Sequence, residues 1–229
     1  MADEELARRL AHVRWIGGGT GAGKSTVARA LAATHDALVY DGDRAEHGWL
    51  DRATADEHPR FHAMVHAGSA GASWARRTAA EIFDAMASRH GETIGFVTED
   101  LLALPGDRPV LVDWFGNPPR DVAPLLLEPW QAVFLLPRPD FRRRMLTDRY
   151  ADPERARANW GDHDPAAMLA KRLDRDALWD AEVRQQAAAA GLRVVEVDGS
   201  RSAGELAADL AGHFRLPAAT AVRPGRTRE

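Results

Sequence analysis

The sequence lacks three features that would each define a class of protein. None of its 229 residues is cysteine, which excludes disulfides, thiolate metal sites and a cysteine nucleophile. No apolar run is long enough to cross a bilayer, and the acidic residues Asp3, Glu4 and Glu5 are unlike a secretory signal. The formal net charge of -4 disfavours a protein that mainly coats nucleic acid. We therefore expect a cytoplasmic protein with neither a membrane nor a nucleic acid as its partner.

What is present is an ordinary globular composition, with 45% hydrophobic and 28% charged residues. Five short apolar runs without alternation predict strands that are buried on both faces of a parallel sheet. We place them at Val13–Gly17, Ala37–Asp41, Pro109–Asp113, Trp130–Leu136 and Arg193–Val197. Helical patterns lie between them, at about 3–12, 26–33, 73–89, 119–127, 139–149, 166–190 and 202–214. Strands that alternate with helices predict a three-layer, doubly wound α/β fold with five parallel strands.

The organisation along the chain predicts one domain, over residues 1–216. The interval of about 44–108 has no convincing strand, and we interpret it as a helical cap inserted between the second and third strands. The polar, turn-rich segment of about 150–165 suits a mobile lid. Residues 217–229 are rich in Pro, Arg and Thr and predict a flexible tail.

The strongest motif lies between the first predicted strand, Val13–Gly17, and the helix predicted over about 26–33. The residues Gly18-Gly19-Thr20-Gly21-Ala22-Gly23-Lys24-Ser25 match the phosphate-binding P-loop pattern in its required strand-to-helix context. Glycines allow backbone N–H groups to surround phosphates, and the helix N-terminus adds partial positive charge. Lys24 is expected to reach the β- and γ-phosphates of ATP, and the Ser25 hydroxyl to ligate Mg²⁺. The predicted nucleotide-binding residues of this segment are Gly19, Thr20, Gly21, Ala22, Gly23, Lys24, Ser25 and Thr26.

Two carboxylates close the second strand, at the sheet edge where doubly wound folds bind ligands. Asp41 and Asp43 are separated by the single residue Gly42, so one can hold magnesium-bound water while the other faces an acceptor hydroxyl. An Asp-Gly turn with a capping role is the alternative interpretation.

The order of strand, P-loop, helix, strand and D-x-D resembles the nucleoside monophosphate kinase-like superfamily, particularly shikimate, gluconate and adenylylsulfate kinases. The segment from Tyr40 to Arg44 is similar to the D-G-D segment of the last two. The resemblance implies that Asp43 is the catalytic base or a ligand of the acceptor hydroxyl, and that Asp41 holds Mg²⁺ through water.

Two further segments carry the same resemblance. Arg175-Asp176-Ala177-Leu178-Trp179 is similar to the segment after the lid of shikimate kinase, which implies that Arg175 approaches substrate and phosphates. Val197-Asp198-Gly199-Ser200-Arg201 is similar to the adenine-bracketing loop of these kinases, which assigns Arg201 to the nucleotide site. The segment from Asp113 to Pro119 departs from the glycine-rich substrate loop of shikimate kinase, so shikimate is not the expected acceptor.

Arginines are concentrated around the predicted lid, where guanidinium groups would stabilise the charge that phosphoryl transfer develops. Arg142, Arg143 and Arg144 are consecutive, and helical neighbours are about 100° apart, so at most one or two of them face phosphate. Arg149 is, with Arg175, a preferred catalytic candidate. A solvated helix face is the alternative for any single arginine.

The acceptor pocket is expected between the cap and the sheet edge. Asp43, Trp49, Arg76, Asp113 and Trp114 are the candidate substrate-binding residues, and core packing is the alternative for each tryptophan. Asp113 ends an apolar strand, so it either holds magnesium through water or contacts the acceptor.

The sequence therefore predicts a magnesium-dependent kinase that transfers the γ-phosphate of ATP to a hydroxyl of a small molecule, with specialised metabolism or antibiotic modification as the expected context. A nucleotide or polynucleotide-end kinase is the first alternative, and a non-catalytic nucleotide-sensing module the second. Either a monomer or a homodimer is compatible with the sequence.

Overall fold

The strands form one five-stranded sheet in which every neighbouring pair is parallel, in the order β2-β3-β1-β4-β5. A computed structural model describes residues 2–67 and 70–217 of the chain. The strands are β1 (Val13–Gly18), β2 (Leu38–Asp41), β3 (Val110–Asp113), β4 (Ala132–Pro137) and β5 (Arg193–Val197). The prediction of five parallel strands is confirmed, and so is the three-layer α/β class.

Helices cover both faces of the sheet. They are α1 (Ala2–Arg9), α2 (Lys24–His35), α3 (Gly42–Trp49), α4 (Pro59–His66), α5 (Ala70–Ala75), α6 (Ala79–Asp84), α7 (Ile94–Leu102), α8 (Pro119–Val122), α9 (Pro139–Tyr150), α10 (Pro153–Trp160), α11 (Pro165–Ala189) and α12 (Ala203–His213). Successive side chains of a strand point to opposite faces, and Leu111 packs with α2 and α12 while Val110 and Val112 pack with α7 and α11. Burial on both faces explains why the strands show no polar alternation.

The strand register brings three chain segments to one edge of the sheet. Asp113 at the end of β3 aligns with Asp41 on one side and with Ile16 on the other. The P-loop follows β1, and α3 follows β2. The groups that the sequence assigns to phosphate, metal and acceptor therefore meet at the carboxyl edge.

The segment between β2 and β3 consists of short helices joined by turns and loops over its described residues, 44–67 and 70–108, and contains no strand there. The prediction of one helix over 73–89 is wrong, because the segment divides into α5, α6 and a 3₁₀ turn at Ala87–His90. Thr78 starts α6 with a capping box, in which its hydroxyl accepts from the Glu81 N–H while the Glu81 carboxylate accepts from the Thr78 N–H.

The helix predicted over 119–127 is also shorter than expected. It is α8 followed by a 3₁₀ turn at Ala123–Leu125. Pro124 lies in that turn and has no N–H to continue an α-helical hydrogen-bond pattern.

The segment assigned to a mobile lid contains a packed helix, α10, where we expected a turn-rich loop. Trp160 is 2% exposed, and its ring centre lies 4.2 Å from that of Tyr150, with the two rings tilted by 41°. The backbone of Trp160 approaches Gly71 of α5 so closely that a side chain at residue 71 would overlap it. Sequence reasoning missed this contact because α10 is polar on average and only Ala156 and Trp160 are buried.

The predicted tail lies outside the described residues from 218 onward. Within residues 2–67 and 70–217, no helix combines the length and apolarity that a membrane span requires.

Trp160→Ala is expected to lower the free energy of unfolding by about 3–5 kcal/mol, because it leaves a cavity between α5, α9 and α10. Denaturant unfolding measures this, and hydrogen exchange should accelerate across 153–160. Met145→Ala on the solvent side of α9 (40% exposed) is the control and should change stability by roughly 0.5 kcal/mol or less. Equal effects of the two variants would contradict the packing of α10.

Candidate functional site

The glycines of the P-loop are needed for different structural reasons. Gly18 has φ of 113°, and its Cα lies so close to the Leu135 backbone that no side chain fits. The Gly19 N–H donates to the Leu135 oxygen at 2.8 Å, which fixes the start of the loop to β4. Gly21 and Gly23 have φ of 80° and 81°, the left-handed region that favours glycine. These conformations turn the loop into the N-terminus of α2.

Lys24 is buried at the first turn of α2, although a lysine is seldom buried without partners. Its Nζ donates to the Gly19 oxygen at 2.8 Å. Burial lowers the pKa of Lys24, and the carboxylates of Asp113, Asp43, Asp176 and Asp180 oppose that change. The ammonium group is therefore held inside the loop by negative charge that comes from three separate elements.

Asp113 and Ser25 form the second part of the site. The carboxylate of the buried Asp113 lies beside the Ser25 hydroxyl. Burial raises the pKa of Asp113; the neighbouring Ser25 hydroxyl and the Lys24 charge oppose the rise, whereas the charges of Asp43 and Asp41 add to it. A hydroxyl beside a carboxylate is a hard-oxygen pair that fits Mg²⁺, which takes its remaining ligands from water and phosphates.

Asp41 has the capping role that was the alternative interpretation of the D-G-D segment. Its carboxylate accepts from the Arg44 N–H at 3.1 Å and forms the N-cap of α3. Asp41 is exposed and aligned with Asp113. No group of three or more His, Asp or Glu side chains with metal-binding geometry occurs in the described ranges.

A cavity of about 290 Å³ lies between the sheet edge and the helical segment 44–108. It borders the P-loop, because Phe115 lines it and the Lys24 Nζ is 6.0 Å from the centre of that ring. Its walls are mostly apolar and include Met64, Trp74, Ile82, Met86, Trp114 and Phe115.

Two carboxylates, Asp43 and Glu46, face this cavity from α3. They are three residues apart, so they lie on one side of the helix. Burial raises the pKa of Glu46 to about 7, and the neighbouring charge of Asp43 adds to the rise while His47 opposes it. Sequence analysis missed Glu46, and its i, i+3 spacing from Asp43 is the signal that would have found it.

Trp114 is held in one orientation by two glycines. Side chains on Gly42 or Gly116 would overlap its ring, so both positions must stay small. Trp49 packs edge-on against Trp114, with ring centres 4.9 Å apart and an interplanar angle of 87°. Trp49 itself is fully buried and donates its indole N–H to Asp100 at 2.9 Å. Trp114 thus lines the cavity, whereas Trp49 lies in the core behind it.

Arg175 enters the cavity from α11. Its guanidinium group lies between the rings of Trp74 and Phe115, at 5.0 and 5.2 Å from their centres. Nη2 forms an ion pair with the fully buried Asp176 at 2.9 Å. Burial lowers the pKa of Arg175, and the Asp176 charge opposes this change. The structure thus places Arg175, which the family resemblance assigns to substrate and phosphates, on the wall of the cavity.

Arg142 is the member of the arginine triplet that lies at the P-loop. It is 3% exposed, its Nε donates to the Thr20 oxygen at 3.2 Å, and its Nη2 pairs with Asp180. Burial raises the pKa of Asp180 to about 6, although the charge of Arg142 opposes the rise. Asp176 and Asp180, one helical turn apart on α11, were both missed by sequence analysis.

The remaining candidates lie outside this arrangement. Arg76 is exposed and does not line the cavity, whereas its neighbour Arg77 does. Arg149 is exposed on α9. Arg201 is exposed in the loop after β5 and forms an ion pair with Asp209 at 3.1 Å.

No family model and no curated protein matches this sequence. The class that the structure itself defines is an α/β chain whose five-stranded parallel sheet is consistent with a P-loop kinase fold.

Glu46→Gln is expected to change how stability depends on pH between about 4.5 and about 7. The pKa of Glu46 in the folded protein lies above its ordinary value of 4.5, so the folded state binds more protons in this window and wild-type stability falls as pH rises. The variant removes that contribution, and the difference between the two proteins should grow in favour of the variant up to pH 7. Denaturant titrations at several pH values measure it, with the exposed Glu57→Gln as control. A constant difference from pH 4.5 to 7 would count against the half-buried position of the Glu46 carboxylate.

Proposed function

We propose that the protein is an ATP-dependent kinase that transfers the γ-phosphate to a hydroxyl group of a small molecule. One observation carries this proposal: Lys24 and the Ser25–Asp113 pair lie beside a cavity whose walls hold two further carboxylates, Asp43 and Glu46. A nucleotide sensor would need the P-loop but no second pocket with acid–base groups.

The chemistry assigned to the chain's residues is electrostatic and positional. Backbone N–H groups of the P-loop surround the phosphates, and the Lys24 ammonium and the Arg142 guanidinium stabilise the negative charge on the transferred group. Ser25 and Asp113 would hold Mg²⁺, which neutralises phosphate charge when it is bound.

The transfer forms one bond and breaks another. The acceptor oxygen bonds to the γ-phosphorus, while the bond from that phosphorus to the β–γ bridging oxygen breaks and ADP leaves. The hydroxyl proton passes to a carboxylate on α3. Asp43 is the primary candidate because its charge acts directly on Lys24 and Asp113, and Glu46 lies one turn further along the helix.

A phosphate-bearing acceptor, as in a nucleotide kinase, is the second candidate function. Three arginines on the cavity wall favour it, namely Arg60, Arg77 and Arg175. Acceptor-dependent ADP release, measured over alcohols, sugars, nucleosides and nucleoside monophosphates, separates the two functions. ADP release only with phosphate-bearing compounds would show that the acceptor is a phosphate and not a hydroxyl. ATP binding without ADP release in the presence of any of these compounds would favour the sensing module.

Lys24→Ala is expected to reduce acceptor-dependent turnover by about 10²–10³-fold or more, because it removes the buried cation beside the transferred phosphate. Coupled ADP-release kinetics and calorimetric ATP binding measure the two effects. Circular dichroism checks folding, and Lys171→Ala, a lysine that bonds the carbonyls of Trp74 and Ala75, controls for loss of a lysine. Turnover of Lys24→Ala within tenfold of wild type would contradict the assignment of phosphoryl transfer to the P-loop.

Asp43→Asn is expected to lower kcat by about 10²–10⁴-fold with nearly unchanged ATP affinity, because the amide can orient a hydroxyl but cannot accept its proton. Glu46→Gln is the matched variant, and it should slow turnover less if Asp43 is the base. Added magnesium should not rescue Asp43→Asn. A larger loss of kcat in Glu46→Gln than in Asp43→Asn would assign the role of base to Glu46.

A further inference from the structure

Asp180 of α11 is a charged side chain beside the P-loop to which the proposed reaction assigns no task. Its carboxylate forms an ion pair with Nη2 of Arg142. A side chain at residue 19 would overlap both partners, so the pair lies directly against the backbone of Gly19. The charge of Lys24 also acts on Asp180. One carboxylate is therefore shared by the two cations that are assigned to the phosphates of the nucleotide.

The hydrogen bonds of these two cations go to carbonyl groups of the P-loop. Lys24 Nζ donates to the Gly19 oxygen at 2.8 Å, and Arg142 Nε donates to the Thr20 oxygen at 3.2 Å. Among the described residues, Nη1 of Arg142 donates to no protein atom. A carbonyl carries only a partial charge, so Asp180 supplies the full negative charge next to Arg142. Phosphate oxygens would approach the same two cations.

The hydrogen bonding of Asp180 itself is incomplete. Its Oδ2 accepts from Arg142, whereas its Oδ1 is buried and accepts no hydrogen bond from the described part of the chain. A buried acceptor without a donor costs free energy. Burial raises the pKa of this carboxyl to about 6, and the charges of Arg142 and Lys24 oppose the rise. The anion is thus held at the P-loop mainly by the two positive charges.

We propose, building on the kinase function above, that Asp180 is an internal counter-ion that competes with the phosphates of the nucleotide for Arg142 and Lys24. Because the carboxylate already neutralises part of their charge, a phosphate gains less from these cations than it would from unpaired ones. Nucleotide binding is weakened as a result, which favours release of the product ADP, a step that limits kcat in many enzymes. Asp180 is a positioning residue, since it acts through Arg142 and Lys24.

The test compares substitutions that remove or retain the charge. Asp180→Asn keeps the size of the side chain and can still accept from Arg142, but it has no negative charge. Calorimetry measures binding of Mg-ADP and of a non-hydrolysable Mg-ATP analogue to the full-length protein. We expect Asp180→Asn to bind both about 10-fold more tightly, the gain typical of one charged hydrogen bond. Asp180→Glu should stay close to the wild type, as should Asp174→Asn, an exposed position on the same helix.

The sign of the change separates this role from a purely structural one. If Asp180 only fixed Arg142 and the P-loop in place, its substitution would loosen the site and weaken nucleotide binding. Weaker or unchanged binding of the two nucleotides to a folded Asp180→Asn variant, with folding checked by circular dichroism, would therefore overturn the proposal.

A second pair of variants covers the case in which Asp180→Asn does not fold. Arg142→Gln and the double variant Arg142→Gln/Asp180→Asn differ by the same carboxylate, and neither leaves Arg142 as a buried cation without its partner. The double variant should bind both nucleotides more tightly than Arg142→Gln, because Lys24 is released from the competing charge. Equal affinities of these two proteins would contradict the role of Asp180 as counter-ion.

The same measurements separate this inference from the kinase function, because nucleotide binding requires no acceptor. Tighter binding to Asp180→Asn, together with no ADP release by the wild type for any acceptor, would support the counter-ion and count against the kinase. Acceptor-dependent ADP release by the wild type, together with weaker or unchanged nucleotide binding in the variant, would support the kinase and overturn this inference.

Discussion

The burial of the Lys24 ammonium group is the constraint on which the rest of the site depends. A buried cation is tolerated only where opposite charge and hydrogen bonds replace water. Here the Gly19 oxygen accepts a hydrogen bond, and four carboxylates act on the charge from β3, α3 and α11. A single side chain thus joins the sheet edge to a helix more than 150 positions later in the sequence, and this requirement organises the elements around the P-loop.

The carboxylates that support Lys24 need partners of their own. Asp180 is paired with Arg142 from α9, and Asp176 with Arg175 from the same helix. Trp179 lies between these two acids in sequence and donates its indole N–H to the Gly18 oxygen at 3.3 Å. As a result, α11 contributes charge, packing and a hydrogen bond to the P-loop. The P-loop motif itself does not predict that this helix packs against it.

The wall of the cavity depends on a second polar group, the half-buried Asp100. Asp100 of α7 accepts from the Tyr40 hydroxyl at 2.6 Å and from the Trp49 indole at 2.9 Å. Trp49 is thereby fixed edge-on against Trp114, and Trp114 can present a fixed surface to a ligand. Trp49 therefore supports Trp114 from the core, and Trp114 forms part of the cavity wall.

The sequence alone determined the features that are encoded in neighbouring residues. Unbroken apolar runs identified five parallel strands, and the glycine-rich motif located Lys24 and Ser25 at the start of the helix that follows β1. Both signals are local, because burial on two faces and a tight phosphate loop restrict the residues where they occur. The tertiary structure alone decided which distant side chains meet. It selected Arg142 over Arg143 and Arg144, put Asp113 beside Ser25, placed Trp49 behind Trp114, and brought Glu46 and Arg77 to the cavity. These outcomes depend on helix rotation and on the packing of elements far apart in the chain, for which short-range patterns carry no information.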